Sequence, residues 1–405
     1  MAENKYSVNP VSITYILTLR YDPTQKPLLP KLDWHDFASN EVMPSISLIE
    51  KTITNTIKKQ IPANTKNVCI ALSGGVDSTL ILALLRKTLP DIQIDAISVK
   101  FANSVDESKS ATKTANRFDA KHHIIEIDNY LKELPKAISI IKSPFWDLHW
   151  YYVVKKAQSL SKYLFSGDGG DEIFGGYTFR YKKFLTLTKE SSDTKEKISA
   201  YLQCHERDNV PDQEKIFGSK CKFSWDQIYD TLIPYFNNKL SRLDQVFLAD
   251  YNGKLLYNFS LINTKLHEYF QIDAVSPLLS NELTSYVIPL SNKFKYDQKN
   301  NIGKLLLRQL LKQLDADTLT TEEKFGFNVN TINLWKSHGF NLCKRYLSNS
   351  CVVEDGWINE DWINQHIDRA DLDVRYINKF LGLLAFEIWY RIFISKEMTQ
   401  NTTLN

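Results

Sequence analysis

The sequence contains few cysteines, and none of them lies in a metal-binding pattern. The five cysteines, Cys69, Cys204, Cys221, Cys343 and Cys351, are scattered and never form a Cys-x-x-Cys pair. This spacing excludes the usual zinc sites, and the odd number offers no disulfide framework. We therefore expect the protein to work in a reducing compartment.

Long apolar runs and an excess of one charge are also absent. No apolar segment approaches the ~20 residues that span a bilayer. The apolar segment 13–19 is short and lacks both the basic region and the cleavage site of a signal peptide, so we interpret it as a strand. The 50 Lys and Arg residues nearly balance the 47 Asp and Glu residues, leaving a formal charge of +3. We expect a soluble, cytoplasmic protein that has no membrane partner, and we do not expect a nucleic-acid partner.

From residue 66 onward, short apolar segments alternate with amphipathic ones. Such alternation predicts parallel βαβ units and therefore an α/β fold with a doubly wound parallel sheet. The segments beyond residue 177 contain little strand signal and predict a largely helical C-terminal half. The predicted strands are 66–72, 91–101, 121–127 and 162–166; the predicted helices are 78–89 and 106–118, with helical regions at 185–270 and 300–395.

Three regions follow from this pattern. Residues 1–65 form an N-terminal extension with a strand near 12–20 and a helix near 44–60. Residues 66–345 are expected to form an α/β domain, which becomes helical from about residue 185. Residues 346–405 are expected to be a helical segment packed on that domain.

The first chemical motif is a glycine loop between the first strand and the first helix of the α/β pattern. Its glycines let the backbone approach an anion, and the helix N-terminus offers unpaired N–H groups. Two serine hydroxyls add donors. Asp77 would repel a phosphate unless a cation lay between them, which indicates Mg²⁺. The loop is not a Walker A motif, because no GxxxxGK[ST] occurs in the chain; it reads Ser73-Gly74-Gly75-Val76-Asp77-Ser78-Thr79.

The second motif follows the fourth strand and reads SGDGGDEIFGGY over residues 166–177. Three carboxylates within five residues repel one another unless a cation is near. Loops after neighbouring parallel strands meet at the carboxyl edge of the sheet, where ligands bind. We therefore expect Asp77 and Asp171 to share one Mg²⁺ ion, with Asp168 facing the reacting group.

The two loops together resemble those of the asparagine synthetases, in the synthetase domain of the N-type ATP pyrophosphatase class. Further matches cover roughly residues 50–340. They are Asp106-Glu107, Pro144 with Asp147, Lys304-x-x-x-Arg308, Lys324-Phe325-Gly326-Phe327 and Trp335. The resemblance implies a fold of the adenine nucleotide alpha hydrolase-like type.

The resemblance also implies a reaction and its residues. ATP would be cleaved between its α and β phosphates to give an acyl-adenylate and Mg²⁺-bound pyrophosphate. The expected catalytic residues are Asp168, Lys324 and Asp273, and the expected metal ligands are Asp77 and Asp171. The residues expected to bind ATP and pyrophosphate are Leu72, Ser73, Gly74, Gly75, Asp77, Ser78, Val99, Ser166, Gly167 and Lys304.

The sequence departs from the family in two places. Residue 2 is Ala2 rather than the cysteine nucleophile of a glutaminase domain, and the N-terminal extension, residues 1–65, is too short for such a domain. We therefore expect ammonia to be free or supplied by a separate glutaminase subunit. In the family motif that corresponds to residues 273–280, the arginine and the final aspartate are replaced by Val275 and Ser280. The motif therefore does not identify the acyl substrate.

The leading hypothesis is therefore a carbon-nitrogen ligase that uses ATP and Mg²⁺, with aspartate as the default carboxylate and ammonia or an amine as the acceptor. The alternatives are a β-lactam synthetase-like or peptide cyclase-like ligase, a tRNA-modifying adenylating enzyme, and a non-catalytic scaffold.

Overall fold

The computed structural model describes residues 6–38, 42–101, 108–320 and 330–405. Its centre is a sheet of five parallel strands in the order β3-β2-β1-β4-β5. The central strand β1 pairs with β2 on one side and with β4 on the other. The strands are β1 (Asn67–Ala71), β2 (Gln93–Phe101), β3 (Lys121–Ile127), β4 (Tyr163–Phe165) and β5 (Asp273–Val275).

Both faces of the sheet are covered, as β1 shows most clearly. Val68 and Ile70 belong to one hydrophobic core, whereas Cys69 and Ala71 belong to the other. Successive side chains of a strand point to opposite faces, so each face of the sheet packs against its own layer of helices. The helices up to the second loop are α1 (Pro10–Leu19), α2 (Ile46–Gln60), α3 (Val76–Thr88), α4 (Ser108–Arg117), α5 (Leu134–Ile141), α6 (His149–Gln158) and α7 (Gly170–Phe174).

The remainder of the chain is mostly helical, which confirms the predicted α/β class with a helical C-terminal half. A π-helical segment, Tyr251–Phe259, joins the helix at residues 242–250 to the helix at residues 260–270. A two-stranded antiparallel ribbon, β6 (Tyr296–Asp297) with β7 (Ile302–Gly303), follows further along the chain. The helices are α8 (Thr178–Leu187), α9 (Thr194–Cys204), α10 (Trp225–Phe236), α11 (Arg242–Asp250), α12 (Ser260–Phe270), α13 (Asn281–Val287), α14 (Leu305–Gln313), α15 (Thr331–Leu334), α16 (Phe340–Leu347), α17 (Cys351–Glu354), α18 (Glu360–His366) and α19 (Val374–Phe393).

The strand predicted near residues 12–20 is wrong, because this segment is the helix α1. The side chain of Asn9 caps the helix by accepting hydrogen bonds from two backbone N–H groups, and Pro10 occupies the first turn. These start signals outweigh the β-branched composition that favoured a strand. The helix ends at Arg20, whose φ of +63° is left-handed.

Helix α1 contributes to both cores. Tyr15 and Leu19 pack in one of them, and Ile13 and Leu17 in the other. This burial on several sides explains why the segment shows no helical periodicity in the sequence. The division of the chain at residues 65 and 345 stays a prediction. Among the described residues, no helix is both long and apolar enough to cross a bilayer.

Candidate active site

The first glycine loop connects β1 to α3. Gly74 has a φ of +72°, and a Cβ atom there would lie 2.9 Å from the Ser110 Oγ, so the position requires glycine. The N–H of Gly75 donates to the Ser73 Oγ at 3.3 Å, and the hydroxyl oxygens of Ser73 and Ser78 lie 3.2 Å apart. Gly75 is the N-cap of α3, and it has no side chain that could accept hydrogen bonds from the first N–H groups of the helix. The loop therefore offers hydroxyl and N–H donors to an anion.

The second glycine loop follows β4 and lies directly against the first. A Cβ atom on Gly167 would lie 2.6 Å from the Asp77 Cβ, and one on Gly170 would lie 2.4 Å from the Asp77 carboxyl carbon. Both distances are far shorter than an ordinary carbon–carbon contact of about 3.5–4.0 Å. The missing side chains of these glycines therefore make room for Asp77.

A lysine ammonium lies between the carboxylates of the two loops. The Lys304 Nζ is 2.8 Å from the Asp171 Oδ1 and forms a second, shorter ion pair with Asp77. Burial by itself lowers the pKa of Lys304, but the carboxylates of Asp171 and Asp77 outweigh it and raise that pKa above the ordinary lysine value. The ammonium therefore stays charged and marks the point where the two carboxylates converge.

Two carboxylates that converge on one cation are a donor set that suits Mg²⁺. This ion is usually held by one or two carboxylates, with substrate phosphates and water completing its coordination. Within residues 6–38, 42–101, 108–320 and 330–405, no cluster of three or more His, Cys, Asp or Glu side chains could hold a metal ion by itself. Asp77 and Asp171 therefore fit a Mg²⁺ ion that arrives with a phosphate ligand.

Asp168 is the third carboxylate at the junction of the loops. The Asn263 Nδ2 donates to the Asp168 Oδ2 at 3.4 Å. Burial raises the pKa of Asp168 above its ordinary value, and hydrogen bonds from Ser166 and Asn263 offset only part of that rise. A carboxylate with a raised pKa is a stronger base near neutral pH, so Asp168 is suited to accept a proton from a nucleophile.

An aspartate–histidine pair lies at the start of α6. The His149 Nδ1 is 2.8 Å from the Asp147 Oδ1, and the Tyr130 hydroxyl donates to the same oxygen at 2.7 Å. Burial lowers the pKa of His149, but the Asp147 carboxylate outweighs it and the net pKa is raised. Burial likewise raises the pKa of Asp147, but His149 and Arg20 outweigh it and the net pKa is lowered. Both shifts favour an imidazolium–carboxylate pair.

The carboxylates of Asp77, Asp147, Asp168 and Asp171 line one cavity of about 360 Å³, together with His149 and the two loop serines Ser73 and Ser78. This size is typical of small-molecule sites. One wall is formed by the two loops at the carboxyl edge of the sheet. The rest is formed by side chains from outside the sheet. These include Arg20, Asp147, His149, Arg180, Lys254, Asn258 and Asn263.

This geometry can be compared with known proteins. The family model described as Asparagine synthase matches residues 48–391 of the chain. The chain belongs to the asparagine synthase family.

Individual members of the family are distant relatives. The glutamine-hydrolyzing asparagine synthetase 1 of Bacillus subtilis (strain 168) is 25% identical over 363 residues, which cover 80% of this chain and 56% of the relative. The glutamine-hydrolyzing asparagine synthetase of Bos taurus is 28% identical over 145 residues, which cover 32% of this chain and 25% of the relative. The chain thus spans about half of the length of the first relative and a quarter of the second.

Solved structures resemble the chain only weakly. The U34-tRNA thiolase NcsA from Methanococcus maripaludis has a TM-score of 0.27 and 15% identity, over 58% of this chain and 83% of its own. The NMN synthetase from Francisella tularensis has the same TM-score and identity, over 56% of this chain and 94% of its own. Similarities of this size carry no inference about activity.

Most residues that the asparagine synthase resemblance assigns to the site are brought together. Gly74 and Gly75 shape the first loop, and Lys304 joins it to the second. The predicted residues that line the cavity are Ser73, Asp77, Ser78, Ser166, Gly167, Asp168 and Asp171.

Four predicted residues lie elsewhere or outside the described residues. Leu72 is buried at the end of β1, where its carbonyl accepts a hydrogen bond from the hydroxyl of Ser98, and Val99 is half-buried on β2. Neither is among the described residues that line the cavity. Asp273 lies on the edge strand β5, about half exposed, with its carboxylate 2.9 Å from the Lys162 Nζ. Lys324, like Asp106 and Glu107, lies outside the described residues.

Several cavity residues were not predicted from the sequence. Arg20 precedes the part of the chain that the family model matches. Lys254 and Asn258 reach the cavity from the π-helical segment, in which Gly253 has non-helical φ and ψ angles. A glycine within a helical pattern is the one local signal that could have drawn attention to this segment.

Proposed function

We propose that this chain is an ATP-dependent amide ligase. It joins a carboxylate to AMP with release of pyrophosphate, and a nitrogen nucleophile then displaces the AMP. The observation that carries the proposal is the contact between the two glycine loops, where Asp77 and Asp171 converge on one cation beside the anion-binding loop. Membership of the asparagine synthase family supports the same class of reaction.

The first loop is suited to the phosphates of ATP. The hydroxyls of Ser73 and Ser78 and the N–H groups at the start of α3 would donate to phosphate oxygens, as helix N-termini commonly do. A Mg²⁺ ion held by Asp77 and Asp171 would neutralise charge on the pyrophosphate leaving group. Lys304 lies at the same point and would supply positive charge to the phosphates.

The second step needs a group that accepts a proton from the attacking nitrogen. Asp168 is the candidate, because it lines the cavity beside the loops and its pKa is raised. Lys324 is assigned by the resemblance to stabilise negative charge at the reacting phosphate and the tetrahedral centre, a contribution of roughly 3 kcal/mol in comparable sites. The exposed position of Asp273 gives no support to its expected catalytic role.

Aspartate and ammonia are the default substrates of the proposed reaction. The relatives in Bacillus subtilis and Bos taurus are named as glutamine-hydrolyzing asparagine synthetases. Ammonia would come from solution or from a glutaminase subunit. A different carboxylate would point to a β-lactam synthetase-like or peptide cyclase-like reaction.

The test is pyrophosphate release from ATP and Mg²⁺ with a panel of carboxylic acids that includes aspartate, with and without ammonium or glutamine. Products are identified by mass spectrometry, and Asp77→Ala and Lys324→Ala are the inactive controls. Asparagine formed only with aspartate and ammonium would support the default substrates. Release with another acid would replace the substrate and keep the mechanism. No release with any acid would refute amide ligation of a small carboxylate and favour an RNA substrate or a scaffold.

A further inference from the structure

The nitrogen nucleophile of the proposed reaction has two protons to lose. Ammonia and simple amines are mostly protonated near neutral pH, as a lysine side chain is. An ammonium ion has no lone pair, so it must lose one proton before it attacks the acyl carbon and a second one as the amide forms. Under the proposed function, Asp168 accepts one of these protons. The other proton needs an acceptor in the same cavity.

His149 is a second basic group near Asp168. It is the first residue of α6, and both side chains line the cavity at the two glycine loops. Burial lowers the pKa of His149, but Asp147 outweighs burial and Asp168 adds to the net rise. Burial raises the pKa of Asp168, and Ser166 and His149 offset part of that rise. The imidazole and the carboxylate are therefore close enough for the charge of each to act on the other.

The hydrogen bond to Asp147 determines which nitrogen of His149 takes up a proton. The His149 Nδ1 lies 2.8 Å from the Asp147 Oδ1. Burial raises the pKa of Asp147, but His149 and Arg20 outweigh it and hold that pKa below its ordinary value, so the carboxylate is ionised and can only accept. The Nδ1 atom must then carry a proton, and the lone pair of the neutral ring lies on Nε2. In this tautomer, Nε2 is the basic atom.

Asp147 is itself held from two sides, which fixes the orientation of the imidazole. The Tyr130 hydroxyl donates to the Asp147 Oδ1 at 2.7 Å and accepts a hydrogen bond from the backbone N–H of Leu148. The Arg20 Nη2 lies 3.5 Å from the Asp147 Oδ2. A base that is oriented by a third group is a common arrangement for proton transfer in active sites.

The charged groups that line the cavity around His149 come from several elements. Asp147 precedes α6, Asp168 belongs to the second glycine loop, Arg20 ends α1 and Lys254 belongs to the π-helical segment. Burial and Arg20 oppose a charge on the imidazole, whereas Asp147 and Asp168 favour it and prevail. His149 therefore becomes an effective base as the pH rises through its raised pKa.

We propose that His149, oriented by Asp147, removes the first proton from an ammonium ion and that Asp168 removes the second. The inference rests on the proposed function and adds a catalytic residue and the form in which the nitrogen enters. An N–H bond of ammonium breaks, and its proton moves to the His149 Nε2. The lone pair of the resulting ammonia forms the C–N bond, and Asp168 takes the next proton. The C–O bond to AMP then breaks, with its electron pair leaving on the phosphate oxygen.

Hydroxylamine separates the two proton transfers. At about pH 8, ammonium is still mostly protonated. Hydroxylamine is a much weaker base and is unprotonated at that pH, so it has only the second proton to lose. The full chain is incubated with ATP, Mg²⁺ and aspartate, or with the acid that replaces aspartate in pyrophosphate release, and with either ammonium or hydroxylamine. Mass spectrometry gives the rates of amide and hydroxamate formation, and the ratio of these rates is compared between variants.

The variants are His149→Asn and Asp147→Asn, and the chain offers a matched control. His35 and Asp33 form a pair with the same Asp-x-His spacing, in which the His35 Nδ1 lies 3.0 Å from the Asp33 Oδ1. Both side chains are 69% exposed, and neither is among the described residues that line the cavity. His35→Asn therefore removes an imidazole that is bound to an aspartate, without changing the site.

We expect the ratio of amide to hydroxamate to fall at least about tenfold in His149→Asn and to stay within about twofold of the wild-type ratio in His35→Asn. The fall is smaller than the ~10²–10⁴-fold typical of a catalytic base, because the variant can still use the ammonia that is unprotonated in solution. If His149→Asn does not fold, Asp147→Asn decides the test. Its neutral amide no longer fixes the basic tautomer of His149, so the ratio should fall likewise.

An equal loss of both products in His149→Asn, or an unchanged ratio in a folded variant, would overturn the role of His149 and leave the amide ligase standing. Formation of neither product by the wild type would refute the proposed function, and the role of His149 with it.

Discussion

Replacing Lys304 by methionine tests the ion cluster that joins the two glycine loops. The variant keeps a long apolar side chain but leaves the carboxylates of Asp77 and Asp171 facing each other. Removing one partner of a buried ion pair costs about 3–5 kcal/mol. The side chains of Asp77 and Asp171 retain 17% and 18% of their exposure, so we expect the lower end of that range, about 3 kcal/mol.

That free energy can be converted into a melting temperature. An unfolding entropy of about 2.1 cal/mol/K per residue gives about 0.85 kcal/mol/K for 405 residues. A loss of about 3 kcal/mol then lowers the melting temperature by about 3–4 °C. The assay is thermal unfolding followed by circular dichroism, in EDTA and in excess MgCl₂. Because Mg²⁺ can replace the lost ammonium, the deficit should be smaller with MgCl₂.

Lys312→Met is the control, since Lys312 is an exposed lysine of α14, the helix whose N-cap is Lys304, and such a change usually alters stability by less than about 0.5 kcal/mol. If Lys304→Met has the same melting temperature as the wild type, and if Mg²⁺ does not change that temperature, the carboxylates do not converge as described. A deficit of equal size in both variants would also contradict the reasoning.

Three further changes test the site. Gly167→Ala places a methyl group against Asp77, so we expect about 1–3 kcal/mol of lost stability and weaker ATP binding by calorimetry. Asp168→Asn removes the proposed base, so amide formation should slow by about 10²–10⁴-fold. The exchange of pyrophosphate into ATP that depends on the carboxylic acid substrate should persist. His149→Asn removes a group whose pKa is raised in the folded state by Asp147. Its stabilising effect is complete below about pH 6.5 and is lost as the pH rises through the folded pKa, so the melting temperatures of variant and wild type should converge once the pH exceeds the folded pKa.

Each of these expectations has a result that would contradict it. Normal stability of Gly167→Ala would mean that the loops are not in contact. Equal loss of pyrophosphate exchange and amide formation in Asp168→Asn would assign Asp168 to the first step instead. A melting difference for His149→Asn that is constant with pH would show that the Asp147–His149 pair is not charged.

The part of the fold that follows local patterns could be predicted from the sequence. The four strands β1 to β4 and the helix α3 lie within a few residues of their predicted positions, because buried apolar runs and amphipathic periodicity are local signals. The strand β5 was not predicted. It has three residues, Asp273–Val275, and its pairing with β4 depends on contacts more than 100 residues apart in sequence.

The candidate site also has one part that could be predicted from the sequence and another part that could not. The glycine loops could be predicted because their residues are contiguous and each has a chemical reason to be there. The resemblance predicts Lys304 as a residue that binds ATP or pyrophosphate. It does not predict that Lys304 lies between Asp77 and Asp171. Arg20 could not be predicted, because it follows a segment whose apolar composition favours a strand, and it reaches the cavity only through tertiary packing.

The most direct test of the proposed reaction is to identify the products of ATP in a single incubation with Mg²⁺, ammonium and the accepted carboxylic acid. Attack of the carboxylate on the α phosphate predicts AMP and pyrophosphate in equal amounts, with formation abolished in Asp77→Ala. ADP and inorganic phosphate, or AMP formation that does not depend on the acid, would contradict acyl-adenylate formation at the two glycine loops.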